Sequence, residues 1–122
     1  FRIGYIATDG STDGTDAIMF RYTHGTNSGR WQGVCRKAGV ESVANFTVAP
    51  VTTGWQKLKI EVYADGLRVD FSIIGSSTLS VTTNIPNSTI GAGGAVTKSA
   101  GTTARDVQVD YFYHLLNLTT AR

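Results

Sequence analysis

Between Gly54 and Pro86 the sequence has few alternatives to folding back on itself. Lys57-Leu58-Lys59-Ile60-Glu61-Val62-Tyr63 alternates polar and apolar residues. Asp65-Gly66 interrupts, and Leu67-Arg68-Val69-Asp70-Phe71-Ser72-Ile73-Ile74 alternates again. A period of two marks strands with one wet face and one buried face. Asp-Gly between two such arms predicts a type I′ hairpin turn, with positive φ at both central residues. If Ala64 pairs with Leu67, Val62 faces Val69, Ile60 faces Phe71 and Leu58 faces Ile73. A slip of one residue would turn every one of those apolar side chains to water. The opposite face carries Lys57, Lys59, Glu61, Tyr63, Arg68, Asp70 and Ser72. A sheet with one oily side needs a second layer to cover it.

The rest of the chain supplies that layer. Residues 1–6, 17–23, 30–36, 43–48, 78–83, 89–97 and 105–116 each read as a strand. Turns are expected at His24 to Gly29, at Lys37-Ala38-Gly39 and at Gly75-Ser76-Ser77. About nine strands at spacings of about 8–12 residues predict an all-β, two-sheet antiparallel β-sandwich. No stretch keeps a 3.6-residue period for ten residues, and no internal repeat or linker appears. A chain of 122 residues suits one domain over 1–122, with enough buried surface to need no staples. It opens at Phe1, already in strand sequence, as expected for a piece of a longer protein.

Charge and composition exclude more than they assign. A formal net charge of +2, with Arg36-Lys37 as the one adjacent basic pair, gives no basic patch for nucleic acid. No apolar run reaches the ~20 residues of a membrane helix. The single Cys35 can form neither an intrachain disulfide nor a thiolate cage, and is expected as a small buried hydrophobe. The loop with Asp9, Asp13 and Asp16 resembles a calcium loop in composition but lacks the EF-hand spacing, so Asx turns are expected there. Gly91-Ala92-Gly93-Gly94 lacks the Lys-Ser/Thr of a phosphate loop and is expected to let another backbone come close. No cofactor is expected. Asn-x-Ser/Thr triplets at Asn45, Asn87 and Asn117 are too easily met by chance in this Thr-rich chain to indicate secretion.

Two constellations carry possible chemistry. The hairpin register sets Glu61 opposite Asp70, the disposition of a glycosidase carboxylate pair. The competing reading is a surface charge lattice, with Arg68 diagonal to Glu61 and Lys59 diagonal to Asp70. The lattice is preferred. His24 and His114 lie far apart, with no nucleophile elbow around either. Trp31, beyond the polar turn, suits either a sugar-stacking platform with His24, Asn27 and Arg30 or the core. Trp55, at the mouth of its strand, is expected to plug the sandwich edge.

Several stretches resemble a known family. Trp55-x-x-Leu58-x-Ile60-x-Val62 followed by Val69-x-Phe71-x-Ile73 is similar to the core hairpin of laminin-G-like, concanavalin-A-like jelly-roll domains. Asp16-Ala17-Ile18-Met19-Phe20-Arg21-Tyr22 and Thr83-Asn84-Ile85-Pro86 resemble two further segments of that family. Lys98-Ser99-Ala100-Gly101-Thr102-Thr103-Ala104-Arg105, with Val109-Asp110-Tyr111-Phe112, resembles the closing stretch of versions in tailed-bacteriophage virion proteins. The resemblance implies a jelly roll at the virion surface, as a capsid decoration, head fibre or tail component. Its implied partners are other virion structural proteins, with room for homo-oligomers and without nucleic acid or membrane insertion. The Glu-x-Asp-x-Glu strand of jelly-roll glycanases has no counterpart, so the reading is non-enzymatic. The alternative is a carbohydrate-binding adhesin using His24, Asn27, Arg30 and Trp31.

Overall fold

The computed structural model describes residues 1–7, 13–98, 101, 102, 104 and 106–115. Among them the chain is all-β. Eight strands form two antiparallel sheets, and a single 3-10 turn spans Thr26–Gly29. The strands are β1 (Arg2–Ile6), β2 (Ala17–Arg21), β3 (Gln32–Lys37), β4 (Val40–Asn45), β5 (Leu58–Val62), β6 (Val69–Ile73), β7 (Ser77–Val81) and β8 (Gly91–Ala95). The larger sheet has the order β4-β3-β2-β1-β8 and the smaller β5-β6-β7. Each sheet is a meander, except that β8 returns to pair with β1.

The two sheets face each other across one apolar layer. Ile18, Phe20, Trp31, Cys35, Ala44 and Phe46 come from the larger sheet and its flanks. Val69, Phe71, Ile73 and Val81 come from the smaller. The sheets come into tight contact where Phe71 lies on Gly33. A Cβ built on Gly33 would sit 2.5 Å from the Phe71 ring, so only glycine lets the layers meet there. Phe20 closes the same spot edge-on, its ring centroid 5.4 Å from that of Phe71.

The hairpin register is as the alternation requires: Leu58 faces Ile73, Ile60 faces Phe71 and Val62 faces Val69. The turn that sets it is different. Gly66 N–H donates to Tyr63 O and Tyr63 N–H to Arg68 O, which makes a four-residue loop. Only Gly66 has positive φ, at 69°. Asp65 instead accepts a hydrogen bond from Leu67 N–H, an Asx turn that occupies its side chain without left-handed backbone. Four loop residues and two give the same pairing, so the register survives. The two-residue turn with positive φ at both centres occurs elsewhere, at Ala38 (49°) and Gly39 (84°), where Lys37 pairs with Val40. That tight turn starts β4 at Val40, three residues before the alternation suggested. Ala38 N–H donates to Asp16 Oδ1 and Gly39 N–H to Thr15 O, which hold the strained turn from outside.

Two further expectations are corrected. Residues 106–115 alternate like a strand but pair with none among the described residues. In the glycine-rich β8, Cβ atoms on Gly91 and Gly93 would meet open space. A Cβ on Gly94 would instead lie 3.1 Å from Arg2 O of the paired β1. Asp9, Asn117 and, in the closing stretch, Ser99, Ala100, Thr103 and Arg105 lie outside the described residues.

Candidate contact surface at the Trp31 end

Trp31 stands at the end of the sandwich where three segments converge. Its N–H donates to Val48 O, and its carbonyl accepts from Phe46 N–H. Its ring packs edge-on against Phe1, Phe20 and Tyr22, leaving only 5% of the residue exposed. Of its two sequence readings, Trp31 therefore takes the core one, and a buried ring has no face to offer a sugar. The indole N–H still needs an acceptor, as a buried tryptophan does. Gln56 Oε1 provides it at 3.0 Å.

Gln56 is the organising residue of the loop before β5. Its Oε1 also accepts from Val51 N–H at 3.2 Å, and its Nε2 donates to Ala49 O at 3.1 Å. One side chain thus ties both limbs of the loop to the core tryptophan. Its neighbour Trp55 is turned outward by the same geometry. Gly54 reverses the chain at φ 80°, and Trp55 is 66% exposed. Trp55 does not plug the edge as the sequence suggested; Gln56 takes the inward position. Val51, on the same loop, is also exposed.

The turn before Trp31 is pinned in a similar way. Asn27 and Ser28 both take left-handed φ, 49° and 54°, which asparagine tolerates better than most residues. The Asn27 amide donates to Trp31 O at 2.9 Å and to Phe46 O at 3.0 Å. Asn27 is therefore a framework residue, its donors turned to the backbone rather than outward. His24 and Arg30 remain exposed on this turn. Of the four candidate sugar contacts, the structure turns two outward and uses two to build the frame. The surface that results consists of His24 and Arg30 on one loop and Val51 and Trp55 on the next, both loops anchored on Trp31.

The carboxylates are committed to neighbours. Glu61 does stand opposite Asp70, as the register requires. Pairing runs along the strands, however, not diagonally: Lys59 meets Glu61 at 2.7 Å and Arg68 meets Asp70 at 2.7 Å. Asp70 is buried and accepts from Arg68 Nε and Nη2, Ser80 Oγ and Tyr63 Oη. The Arg68 hydrogen bonds, then that of Ser80, hold its carboxyl well below the usual carboxylate range. Arg68 also lies over the Tyr63 ring, 4.2 Å from its centroid. A carboxylate so engaged is poorly placed to give or take a proton at neutral pH.

On the outer face of the larger sheet, Asp13 is clamped between Arg2 and Arg21, and Arg21 also reaches Glu41 at 2.9 Å. Burial pushes the Asp13 carboxyl up, but the two arginines outweigh it and hold it below its ordinary value. Asp16 accepts from Ala38 N–H and Ser88 Oγ. Asp13 and Asp16 thus serve different parts of the frame. Among the described residues no group of three His, Cys, Asp or Glu side chains is placed to hold a metal. Cys35 is buried, and burial pushes its thiol up to about 12.

Residues 1–110 match the family described as SO2946-like, C-terminal domain. The chain belongs to that family. No curated protein matches this chain. No solved structure matches this chain either. What sequence reasoning missed in this domain is Gln56. No local signal pointed to it, because Gln56 lies 25 residues from the Trp31 indole that it serves.

Proposed function

We propose that the SO2946-like domain is a non-enzymatic structural module displayed on the surface of a tailed-phage virion and held there by other virion proteins. The virion assignment rests on the sequence resemblance of the hairpin and closing stretches. The observation that carries the contact role is Trp55: a large ring presented to solvent by a loop that Gln56 fixes to the core. Exposed aromatic anchors on pre-ordered loops lose little entropy on binding and often dominate interface energy. The sandwich supports such a loop without cofactor or disulfide.

Mass spectrometry of purified particles tests the reading directly. The domain is expected at a fixed ratio to the major shell protein, and its absence from purified particles would refute the assignment. Particles lacking the domain should recapture the purified wild-type domain and fail to recapture Trp55→Ala.

A second reading, a glycan-binding adhesin, draws on the polar His24 and Arg30 loop anchored beside the Trp55 loop, since an exposed indole flanked by polar groups also suits a sugar face. On a glycan array it requires binding that Trp55→Ala abolishes and Trp31→Phe retains. A flat array removes it.

A further inference from the structure

The two sheets differ in width, and the difference leaves a place for a strand. β7 lies over β3 and β4, and β5 lies over β2. The position beyond β5 in the smaller sheet therefore lies over β1 and β8, where the larger sheet has no strand above it. What is found there is an apolar trough of about 410 Å³. Its floor is Phe1, Ile3 and residues 92–96, and its wall is Val107, Val109 and Phe112. His114 continues the same segment, with its ring 5.5 Å from that of Tyr5.

The β5 edge of the smaller sheet is unpaired among the described residues. Tyr63 N–H donates to Arg68 O, and Ile74 N–H donates to Lys57 O. Hydrogen-bonded pairs alternate in an antiparallel ladder, so Lys57, Lys59, Glu61 and Tyr63 spend their backbone groups on β6. Leu58, Ile60 and Val62 direct theirs outward, and β5 pairs with no other strand among the described residues. An exposed ladder edge beside an apolar trough is a template for an added strand.

We infer that residues 106–113 close over this trough as a fourth strand of the smaller sheet, seated on the β5 edge. The segment has the required pattern: Val107, Val109, Tyr111 and Tyr113 alternate with Gln108, Asp110 and Phe112. It already lies along the trough, and Val109 is 55% exposed there, so closure would bury surface that the open arrangement leaves wet. The connection does not prevent it. Residues 96–105 reach up to about 33 Å when extended, against about 10 Å between packed sheets. Closure gives four strands over five and supplies partners for the outward groups of Leu58, Ile60 and Val62.

Two-dimensional NMR on the full chain tests this. Expected are backbone cross-strand NOEs between residues 58–62 and 106–113, and slow amide exchange at Leu58, Ile60 and Val62. Val109→Asp places a charge in the trough. It should speed exchange at those three amides about tenfold or more while leaving β6 amides protected. The exposure of Val109 makes global unfolding an unsuitable explanation, and retained β6 protection checks that. Absent NOEs with fast edge exchange would overturn the inference. So would wild-type edge protection that Val109→Asp leaves unchanged. NOEs seen only between labelled and unlabelled copies would place the strand on another molecule and overturn the intrachain closure.

Discussion

Replacing Gly33 by alanine should loosen the whole sandwich, although alanine in a strand interior ordinarily gains about 0.5–1 kcal/mol over glycine. Gly33 is not among the positive-φ residues, so the substitution brings no backbone penalty and isolates a steric one. The added Cβ would lie 2.5 Å from Phe71 Cγ and 2.6 Å from Cδ2, about 0.9 Å inside ordinary contact at 3.4 Å. The ring cannot step aside. Phe71 is fully buried, and Phe20 meets it edge-on at 5.4 Å. Either the sheets part or the ring leaves its rotamer, at about 1–3 kcal/mol. Of a total of about 5–15 kcal/mol, that is a substantial share. In urea titration with m near 2 kcal/mol/M, the midpoint should fall by about 0.5–1.5 M with m unchanged. Phe71→Leu alone should cost about 1–1.5 kcal/mol through lost ring contacts. In the Gly33→Ala background the smaller side chain makes room, so the double variant should be at least about 1 kcal/mol more stable than the sum of the two losses. A Gly33→Ala midpoint equal to wild type, or strictly additive losses, would refute the idea that this contact sets the spacing of the layers.

Other perturbations follow from the same structure. Gln56→Ala removes the acceptor of the Trp31 indole and should cost about 1–3 kcal/mol, with a changed Trp fluorescence maximum; an unaltered melt would show that the loop is not tied through this residue. Ala38→Asn should add about 0.5–1 kcal/mol, because asparagine accepts φ near 49° more readily, and thermal melts would show it. Asp70 has a folded pKa held below its unfolded value of about 3.9, so its contribution is complete above that value and declines as pH falls toward the folded one. Asp70→Asn should therefore lower stability at neutral pH and flatten the acid limb below about pH 5, and an unchanged slope in urea midpoints would count against this. Cys35 should resist alkylation in the native protein at pH 8 and react once urea unfolds it; rapid native labelling would contradict its burial.

The hairpin and its register were legible because three apolar pairs and a punctuating glycine all demanded the same alignment. The turn type was not, since two- and four-residue loops serve that alignment equally. Local pattern marks residues 106–115 as strand-like but cannot name a partner, since a strand is a property of a pair and the pair is set by tertiary placement. At the candidate surface, spacing could not tell Trp31 from Trp55. Both flank polar loops, and the decision between them depends on Gln56, whose three contacts span parts of the chain up to 25 residues apart. The all-buried run of β2 reflects a similar limit. Ile18 and Phe20 face the inner layer, while Ala17 and Met19 pack with Val34 on the other side.

The return of β8 to β1 has a kinetic consequence. β1 to β4 and β5 to β7 are each built from neighbours in sequence, so either half can zip from its turns. Arg2 and Ala95, by contrast, pair across about 90 residues of chain. Closing so long a loop costs entropy before any contact rewards it. The glycine-rich β8 has almost no side chains with which to nucleate, and should dock last, onto a face the earlier strands have already assembled.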